Sequence, residues 1–376
     1  MTKKIMFVAN TAWSMFNFRR GVICQLIHNG YQITIIAPPD AFSEKLQDLG
    51  CKVIDLSVDA KGTNPFQDLC LVHTLYNHYR IIKPDFIIHY TIKPNVYGSI
   101  AAKLAGIPSL AVTTGLGYTF VNNNLVAKVA RILYKIAFRF PDEVWFLNED
   151  DRQEFLHHRL VANYKAKLLH GEGVNLEHYS PQSIELAESV NDGIRPIRFL
   201  LIGRMLWDKG IGEYVAAARI IKKRDPQIEF QLLGACDVAN PSVITHEQIS
   251  LWEQEGLVKY LGTTDDVRPF IVNADCIVLP SYREGIPRTM IEAASMAKPL
   301  ITTDVPGCRD VVLPGVTGWL CPAKDAPALA SCFEQFLNMD IASRREFGIA
   351  GRKFMAIKFN EEIVIERYLK VLKKYE

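Results

Sequence analysis

The chain has 376 residues, of which 49% are apolar and 22% charged, and its formal net charge is +2. This length predicts two domains rather than one, and the small net charge does not indicate a nucleic-acid partner. No apolar run is long enough for a transmembrane helix, and no signal peptide precedes the first predicted strand, so we expect a cytoplasmic protein. The predicted reduced core cysteines are Cys24, Cys51, Cys276 and Cys332.

Apolar runs without polar alternation, typical of strands buried on both faces, alternate with helical patterns through the first 171 residues. The predicted strands are Ile5–Ala9, Gln32–Ala37, Lys52–Leu56, Phe86–Tyr90, Leu110–Thr113, Val144–Leu147 and Lys167–His170. Helical patterns fill the gaps, including Arg19–His28 and Pro94–Ala105. Such alternation predicts an α/β domain with a doubly wound parallel sheet.

A glycine-containing break at Gly171–Asn175 separates this domain from a second one of the same kind. The strands predicted there are Ile197–Ile202, Glu229–Leu233, Lys259–Leu261, Cys276–Leu279 and Leu300–Thr303, followed by a last amphipathic helix at Glu361–Lys374. We therefore predict one domain at 1–171, a second at 172–358 and a terminal helix within 359–376. The first domain is net basic and the second net acidic, which suggests an anionic surface or substrate at the first.

The segment Cys276–Gly307 is predicted to form a strand, a loop, a helix and a second strand. Its loop therefore follows a parallel strand, where open α/β sheets bind ligands. Glu284 lies in the loop and Glu292 lies in the helix. The residues that lead into the helix are Gly285, Ile286 and Pro287, with the proline expected at the first helical position. An acid, a row of amide donors and a second acid match the sugar, diphosphate and ribose of a sugar nucleotide. Taken alone, both acids could be solvated charges.

A second cluster follows the first strand of the second domain, where the chain reads Gly203-Arg204-Met205-Leu206-Trp207-Asp208-Lys209-Gly210. Arg204 and Lys209 flank a turn that opens a helix, so they could clamp a diphosphate and stabilise its charge as it leaves. Taken alone, they could equally be ordinary surface cations. Asp265-Asp266 lacks the spacing of a metal-binding Asp-x-Asp pair, so we expect no bound metal and no cofactor.

With these residues the chain resembles the family-four retaining glycosyltransferases, which have the GT-B fold of two facing Rossmann-like domains with a cleft between them. The motifs that carry the resemblance are Gly203-Arg204, Lys209-Gly210, Glu284-Gly285 and Glu292-Ala293. The resemblance implies that the first domain binds the acceptor and that the second binds a nucleotide sugar. It also implies sugar transfer with retention of configuration and without a metal.

The resemblance implies specific roles for residues of the second domain. Implied catalytic residues are Glu284, Arg204 and Lys209. Implied donor-binding residues are Gly203, Arg204, Lys209, Thr264, Arg268, Glu284, Gly285, Ile286, Pro287 and Glu292. In this interpretation the two cations hold the diphosphate, and Glu292 binds the ribose. Glu284 contacts the transferred sugar, and the base lies near Thr264 and Arg268.

The first domain departs from the commoner family pattern. Its first loop, Asn10–Arg19, lacks a glycine pair, and Ile92 stands where many members have a histidine. His89 lies slightly earlier and is expected to be structural. Expected acceptor-binding residues are Asn17, Arg19, Lys93, Thr114 and Gly115. With Thr113-Thr114-Gly115-Leu116-Gly117, these loops resemble a narrower group that builds bacterial surface glycans on undecaprenyl diphosphate. Its nearest activity adds N-acetylgalactosamine to diacetylbacillosamine on that carrier.

One predicted helix of the first domain combines basic and apolar residues. Its basic stripe consists of Lys128, Arg131, Lys135 and Arg139, and the adjoining apolar residues are Leu125, Val129, Ile132, Leu133 and Ile136. This pattern is typical of a helix at a bilayer interface or of a site for a lipid diphosphate. A core helix with a solvated face is the alternative.

Together these features predict a retaining hexosyltransferase that moves an N-acetylhexosamine from a UDP-sugar to a lipid-diphosphate-linked saccharide. We expect it to be peripheral on the cytoplasmic face of a bacterial inner membrane, where the surface is anionic. Two alternatives stay open. A GT-B sugar-nucleotide epimerase would need acid and base groups that the fourth-strand loop lacks. A non-catalytic scaffold of a glycan-assembly complex would not need the intact set of Arg204, Lys209, Glu284 and Glu292.

Overall fold

A computed structural model shows that the chain divides into two compact units. The N-terminal unit comprises Met1–Gly173 and Glu361–Glu376, and the C-terminal unit comprises Val174–Asn360. The residues that the structure describes are 2–56, 64–116, 125–181, 195–236 and 240–375. The division between the units follows Gly173, two residues beyond the boundary that the sequence suggests.

Seven parallel strands form the sheet in the described part of the N-terminal unit, in the order β3-β2-β1-β4-β5-β6-β7. They are β1 (Lys4–Val8), β2 (Gln32–Ala37), β3 (Lys52–Asp55), β4 (Phe86–Tyr90), β5 (Ser109–Thr113), β6 (Glu143–Phe146) and β7 (Ala166–Leu168). The strand order changes direction between β1 and β4, which pair with each other. The loops after these two strands therefore diverge and leave a crevice at the carboxyl edge of the sheet.

The helices of this unit alternate with the strands along the chain, as the sequence pattern predicts. They are α1 (Ala12–His28), α2 (Ser43–Asp48), α3 (Pro65–Ile82), α4 (Ser99–Ala105), α5 (Leu125–Ala137) and α6 (Glu149–His157), with a π-helical turn at Pro94–Gly98. The prediction that α1 begins at Arg19 is wrong. The helix begins seven residues earlier, at Ala12, and Thr11 caps it by accepting the backbone N–H of Ser14 at 3.2 Å. Asn17 therefore lies on a helix rather than in a loop.

The C-terminal unit has a six-stranded parallel sheet within its described residues, in the order β10-β9-β8-β11-β12-β13. The strands are β8 (Arg198–Ile202), β9 (Glu229–Leu233), β10 (Lys259–Tyr260), β11 (Cys276–Leu279), β12 (Leu300–Thr303) and β13 (Gly318–Cys321). The sequence did not predict β13, because Gly318 is typical of a turn. A Cβ at Gly318 would overlap the carbonyl oxygen of Leu300, so the glycine is what lets this strand approach β12.

Helices cover both faces of the second sheet as well. They are α7 (Ile211–Lys222), α8 (His246–Gln254), α9 (Arg268–Asn273), α10 (Arg288–Ser295), α11 (Ala326–Leu337) and α12 (Ile341–Lys358), with 3-10 turns at Trp207–Lys209 and Arg309–Val311. The core on one face contains Phe199, Phe230 and Phe333 in mutual ring contact. Pro287 is the N-cap of α10 rather than its first helical residue, because its ψ of 107° is extended.

The last helix, α13 (Glu361–Leu372), belongs to the N-terminal unit and packs against α1; a 3-10 turn at Lys373–Tyr375 replaces its predicted last residues. The hydroxyls of Tyr368 and Tyr90 lie 2.6 Å apart in the core. Glu143 is 9% exposed and accepts hydrogen bonds from Lys374 at 2.7 Å and Arg367 at 3.2 Å. Residues at the end of the chain therefore satisfy buried polar groups of strands β4 and β6.

His89 of β4 is fully buried, and its Nε2 lies 3.0 Å from the hydroxyl of Tyr79. Burial lowers the pKa of His89 to about 3, so the ring is neutral at physiological pH. The expectation of a structural histidine is confirmed. Three of the four predicted core cysteines are buried, whereas Cys24 is exposed on α1. Across the described residues, we find no helix that combines the length and apolar character needed to traverse a bilayer.

Candidate active site

The candidate site of the C-terminal unit lies where its strand order changes direction, between β8 and β11. Gly210 has φ +72°, and a Cβ there would overlap the carbonyl of Pro280, so the loops after these strands touch backbone to backbone. The N–H of Tyr282 donates to the carbonyl of Asp208 at 2.9 Å and fastens the two loops together. The loops after β8 and β11 are therefore held together at the base of the crevice that is expected at this switch point.

Two further loops extend this base along the carboxyl edge of the sheet. Gly234, after β9, has φ +140° and lies against the carbonyl of Gly203. Gly307, after β12, has φ +80° and lies against the backbone of Glu284 and Gly285. Side chains at either glycine would collide with backbone atoms. Four strand ends thus meet in one continuous surface that carries most of the predicted donor-binding residues.

Lys209 and Glu284 form an ion pair across the switch point, with side chains 18% and 15% exposed. Lys209 ends the 3-10 turn after β8, and Glu284 lies in the loop after β11. Arg204 is exposed, and within the described ranges its side chain has no hydrogen-bond or ion-pair partner. The switch point therefore has one paired and one unpaired cation, an arrangement that can take up a dianionic diphosphate.

Helix α10 begins at Arg288, shortly after Glu284 in the chain. The backbone N–H groups of Ile286 and Thr289 have no acceptor in the part of the chain that the structure describes. The positive end of the helix dipole adds to the attraction that such donors exert on an anion. The hydroxyl of Thr289 donates to the carbonyl of Ile202 at 3.3 Å and ties the start of α10 to the end of β8.

Glu292, on α10, is 6% exposed and has two partners. Arg288, one turn earlier, donates its Nε to Oε1 of Glu292 at 2.8 Å. Tyr179 forms the second hydrogen bond to this carboxylate, and burial together with the nearby negative charge raises the pKa of Tyr179. The carboxylate is thus fixed in orientation, as recognition of a vicinal diol requires.

Arg352 of α12 holds the segment that carries Tyr179. Its guanidinium donates to the carbonyl of Tyr179 at 2.9 Å, to that of Leu176 at 3.1 Å and to that of Ser295. Neither Arg352 nor Tyr179 was predicted from the sequence. Arg288 was not singled out for its side chain either. Only the position of Arg288, four residues before Glu292 on a helix, could have signalled a contact.

Thr264 and Arg268, the predicted base-proximal residues, meet at Asp266. Arg268 donates Nε and Nη2 to this carboxylate at 2.8 and 2.7 Å, while the Thr264 hydroxyl accepts the backbone N–H of Asp266 at 3.1 Å. Hydrogen bonding to Arg268 lowers the pKa of Asp266. His178 lies 3.4 Å from Arg268, next to Tyr179 in the chain. This cluster therefore adjoins the surroundings of Glu292.

The predicted acceptor-binding residues of the N-terminal unit have different surroundings. Asn17 donates to the carbonyl of Trp13 at 2.9 Å. Arg19 is only 4% exposed, pairs with Glu172 and lies over the ring of Tyr90. Arg19 therefore ties α1 to Glu172, in the break at Gly171–Asn175. The expectation that Arg19 faces an acceptor has no support in this burial.

Lys93, after β4, pairs with Asp68 in the first turn of α3, with 2.9 Å between Nζ and Oδ1. The Tyr97 hydroxyl donates to the other oxygen of the same carboxylate at 2.6 Å. Thr91, two residues before Lys93, has a left-handed φ of +71°, which is strained for a β-branched residue and is common near functional sites.

Thr114 and Gly115 follow β5 and are half-buried, and Gly115 has φ +119°. They therefore lie at the carboxyl edge of the same sheet as Lys93. Gly117 of the same motif lies outside the described residues. Among the hydrogen bonds of the described segments, none involves the Thr114 hydroxyl.

Helix α5 buries one face and exposes the other. Ala127, Tyr134 and Phe138 are buried, whereas Val129, Ile132 and Ile136 are 48%, 59% and 44% exposed. Of the basic residues, Lys128, Lys135 and Arg139 are exposed and Arg131 is half-buried; Arg139 lies in the turn after the helix ends. The exposed face therefore combines apolar and basic side chains, as an interfacial helix does. The side chain of Leu125 is outside the described part.

Within the described ranges, no group of three or more His, Cys, Asp or Glu residues is arranged to hold a metal ion.

Solved structures share this fold over nearly the full length. A glycosyltransferase from Rickettsia africae matches with a TM-score of 0.78 and 19% identity, covering 100% of this chain and 98% of the other. Sucrose-phosphate synthase from Thermosynechococcus elongatus matches with a TM-score of 0.81 and 21% identity, covering 99% of both chains. The predicted α/β fold with two Rossmann-like parallel-sheet domains is confirmed. The class that this fold defines is that of the GT-B glycosyltransferases.

Sequence comparisons identify the family within that class. The model "Glycosyl transferases group 1" matches residues 196–339, and "Glycosyl transferase 4-like" matches residues 4–148. N,N'-diacetylbacillosaminyl-diphospho-undecaprenol alpha-1,3-N-acetylgalactosaminyltransferase from Campylobacter jejuni is 30% identical over 98% of both chains. An Escherichia coli relative, UDP-Gal:alpha-D-GlcNAc-diphosphoundecaprenol alpha-1,3-galactosyltransferase, is 24% identical over 69% of this chain and 68% of its own. The chain belongs to this glycosyltransferase family, and the predicted enzyme class is confirmed.

Proposed function

We propose that the chain transfers an N-acetylhexosamine from a UDP-linked donor, with retention of configuration, to a saccharide carried on a lipid diphosphate. The observation that carries this proposal is the switch point of the C-terminal unit, where Arg204, Lys209 and Glu284 adjoin the start of α10. The name of the Campylobacter jejuni relative supports the sugar and the acceptor, because it describes transfer of N-acetylgalactosamine to a saccharide on diphospho-undecaprenol. Bacterial surface glycan assembly is then the setting of the reaction.

The residues of the C-terminal unit have the following roles in this proposal. Arg204 and Lys209 hold the diphosphate and stabilise the negative charge that grows on it as the sugar leaves. The amides before and within the first turn of α10 add donors to the same group. Glu284 contacts the transferred sugar, and Glu292, held by Tyr179, binds the ribose hydroxyls. Charge on the leaving group is balanced by protein cations, so we expect full activity in EDTA.

The N-terminal unit binds the acceptor in this proposal, and α5 brings the enzyme to the membrane. Its exposed Val129, Ile132 and Ile136 enter the interface, and its basic residues lie against anionic lipid or the diphosphate of the acceptor. At about 1 kcal/mol for each Lys or Arg, four residues contribute about 4 kcal/mol. Binding of this strength is reversible and salt-sensitive, and it suits a peripheral protein on the cytoplasmic face of the inner membrane.

Nucleotide sugars tested for protection against thermal unfolding provide the first experiment. We expect UDP-N-acetylhexosamines to raise the Tm of the wild type and to do so far less for Arg204→Ala. Arg219→Ala is the matched control, because Arg219 is an exposed arginine of the same unit, paired with Glu255 on another surface. Equal protection of Arg204→Ala and the control would contradict the donor site.

Turnover then separates the proposed activity from its alternatives. A transferase releases UDP when a lipid-linked saccharide is added, an epimerase produces an isomeric UDP-sugar without an acceptor, and a scaffold does neither. Manganese dependence in this assay would contradict the proposed role of the protein cations.

Liposome sedimentation tests the membrane part of the proposal. Reversal of Lys128, Arg131, Lys135 and Arg139 to Glu should abolish sedimentation with anionic vesicles and leave turnover of a short water-soluble acceptor largely intact. The control reverses four exposed lysines elsewhere, Lys223, Lys259, Lys353 and Lys370. Unchanged sedimentation of the α5 variant would mean that the stripe is an ordinary solvated face.

A further inference from the structure

The switch point of the N-terminal unit, between β1 and β4, presents an aromatic side chain where the C-terminal unit presents cations. Trp13, in the first turn of α1, is 45% exposed, and Ile92, after β4, is 38% exposed. The two cations nearest in the chain are already paired, Lys93 with Asp68 and Arg19 with Glu172. Open α/β sheets bind ligands at this point, and these side chains suit a ligand that is neutral and partly apolar.

Trp13 is held in place by the backbone and side chains around it. Its backbone N–H donates to Oδ2 of Asp40 at 2.8 Å, and its backbone carbonyl accepts a hydrogen bond from the side-chain amide of Asn17 at 2.9 Å. The ring of Phe18 meets the indole edge-on, with 5.0 Å between ring centroids. Asp40 also accepts the N–H of Phe42 at 2.8 Å, so one carboxylate joins the loop after β2 to the start of α1. An indole fixed in this way loses little freedom when a ligand binds.

The indole N–H of Trp13 has no acceptor among the described residues, so the ring offers a bare face together with an unused donor. A pyranose ring is complementary to both features, because its C–H groups form an apolar face and its hydroxyls form a rim of acceptors. A phosphate would require unpaired cations, which this loop pair lacks in its described residues. A bilayer would favour a broad apolar surface edged by basic residues, as α5 presents.

We propose that Trp13 is the platform on which the sugar ring of the acceptor stacks, and that Asp40 is its positioning residue. This inference rests on the proposed function, in which the N-terminal unit binds a lipid-linked saccharide. It divides acceptor recognition between two places on that unit. The sugar binds at the switch point, while the lipid and its diphosphate bind at α5.

Steady-state kinetics with Trp13→Ala and Trp13→Phe test the platform. We expect Trp13→Ala to raise the KM for the acceptor about tenfold or more, for a lipid-linked and for a water-soluble acceptor alike, since the sugar is common to both. The KM for the donor should change less than about twofold. Trp13→Phe keeps an aromatic face but loses the N–H, so its acceptor KM should lie between those of the wild type and Trp13→Ala.

Tyr164→Ala is the matched control for this experiment. Tyr164 is an aromatic residue of the same unit, 73% exposed, and it precedes β7 at the opposite, amino-terminal edge of the sheet. Its acceptor KM should equal that of the wild type. The platform is refuted if Trp13→Ala and Tyr164→Ala have the same acceptor KM.

A binding measurement without turnover provides a second readout. In protein labelled with 15N at tryptophan, the indole N–H resonance of Trp13 is assigned by its loss in Trp13→Phe. Free N-acetylglucosamine at millimolar concentration should shift this resonance saturably, whereas glycerol at the same concentration should not. A shift with anionic phospholipid vesicles and none with the sugar would overturn the platform and make Trp13 a membrane contact.

The two readouts distinguish failure of this inference from failure of the proposed function. If the wild type transfers sugar, while the acceptor KM of Trp13→Ala is unchanged and the indole resonance does not move, only the platform is wrong. If no lipid-linked saccharide is glycosylated by the wild type, the proposed function is wrong, and the titration with free sugar still decides whether Trp13 binds a pyranose.

Discussion

The two units share a change of direction in the strand order of their sheets but have different side chains at that point. Each has a parallel sheet whose order changes direction once, between β1 and β4 in the N-terminal unit and between β8 and β11 in the C-terminal unit. In the C-terminal unit an ion pair and an exposed arginine occupy that point, whereas in the N-terminal unit an exposed indole does. Topology thus fixes where a ligand binds, and a few side chains on the loops decide which ligand it is.

The largest expected difference between the units concerns their two paired lysines. Lys209→Ala should lower turnover by about 10²- to 10³-fold, because it removes a preorganised charge from the leaving diphosphate. Lys93→Ala removes a lysine of similar burial, whose partner Asp68 also keeps its bond to Tyr97. We expect it to lower turnover less than about tenfold.

The loss of turnover in both lysine variants is measured as the single-turnover rate at saturating donor. Lys209→Arg is the control that keeps the charge. Equal losses in Lys209→Ala and Lys93→Ala would remove the contrast between the two switch points.

Two glycines with the same backbone conformation provide a second test of the contrast. Gly210 and Gly106 both have φ +72°, but only Gly210 has backbone atoms in the way of a Cβ. Gly106→Ala should lower the free energy of unfolding by about 1 kcal/mol, the cost of a left-handed alanine. Gly210→Ala should lower it by about 3 kcal/mol, because the loops after β8 and β11 must separate. Urea unfolding measures both, and equal losses would contradict the tight contact at the base of the donor site.

A third test concerns Arg352, a half-buried arginine of α12. Arg352→Lys replaces the two separate NH2 groups that reach Tyr179 and Leu176 with a single ammonium group, so the segment that carries Tyr179 should loosen and Glu292 should lose its fixed orientation. We expect UDP to bind about tenfold more weakly, as measured by isothermal titration calorimetry. Lys353→Ala, an exposed neighbour on α12, is the control. An unchanged Kd for Arg352→Lys would mean that Tyr179 is held by other contacts.

The smallest expected effect is a pH dependence specific to the N-terminal unit. The pKa of His89 is lowered to about 3 in the folded protein, so below pH 6.5 the unfolded chain binds a proton that the folded chain does not. Stability therefore falls as pH falls, by about 1 kcal/mol between pH 6 and pH 5. His89→Gln should reduce this slope. Hydrogen exchange should show the loss in amides of β4 and not in β11, and an equal loss in both would contradict the assignment.

Much of the fold follows from the sequence because parallel strands are apolar throughout. The run Phe86–Tyr90 was predicted to its exact bounds, since both faces of the strand are covered. Helix α1 shows where such reasoning fails. The capping residue Thr11 is present in the sequence, but the first turns bury the polar Ser14 and Arg19 and expose Trp13, so they lack the usual apolar period of a helix. The short strand β13 was missed because Gly318 fits both a turn and a close strand contact.

The site was predictable only in part, for a similar reason. The predicted site residues lie in two short motifs whose spacing has physical meaning. One motif contains Arg204 and Lys209, and the other contains Glu284 and Glu292. Tyr179 lies more than a hundred residues before Glu292, and no local pattern connects them. Arg352 bonds both to the segment that carries Tyr179 and to Ser295 at the end of α10. Asp40 and Trp13 pose the same difficulty on a smaller scale, since a backbone-to-carboxylate bond between two loops leaves no periodic signal.

The position of α13 in the N-terminal unit has a consequence for biosynthesis. The C-terminal unit is continuous in the chain, so all of it can fold once Asn360 has left the ribosome. The N-terminal unit begins first but is completed last, because Tyr368 and Arg367 must still reach Tyr90 and Glu143. Until then Tyr90, Glu143 and α1 lack the partners that the last helix and the turn after it provide. During translation the C-terminal unit can therefore be complete before the N-terminal unit is, the opposite of the usual order.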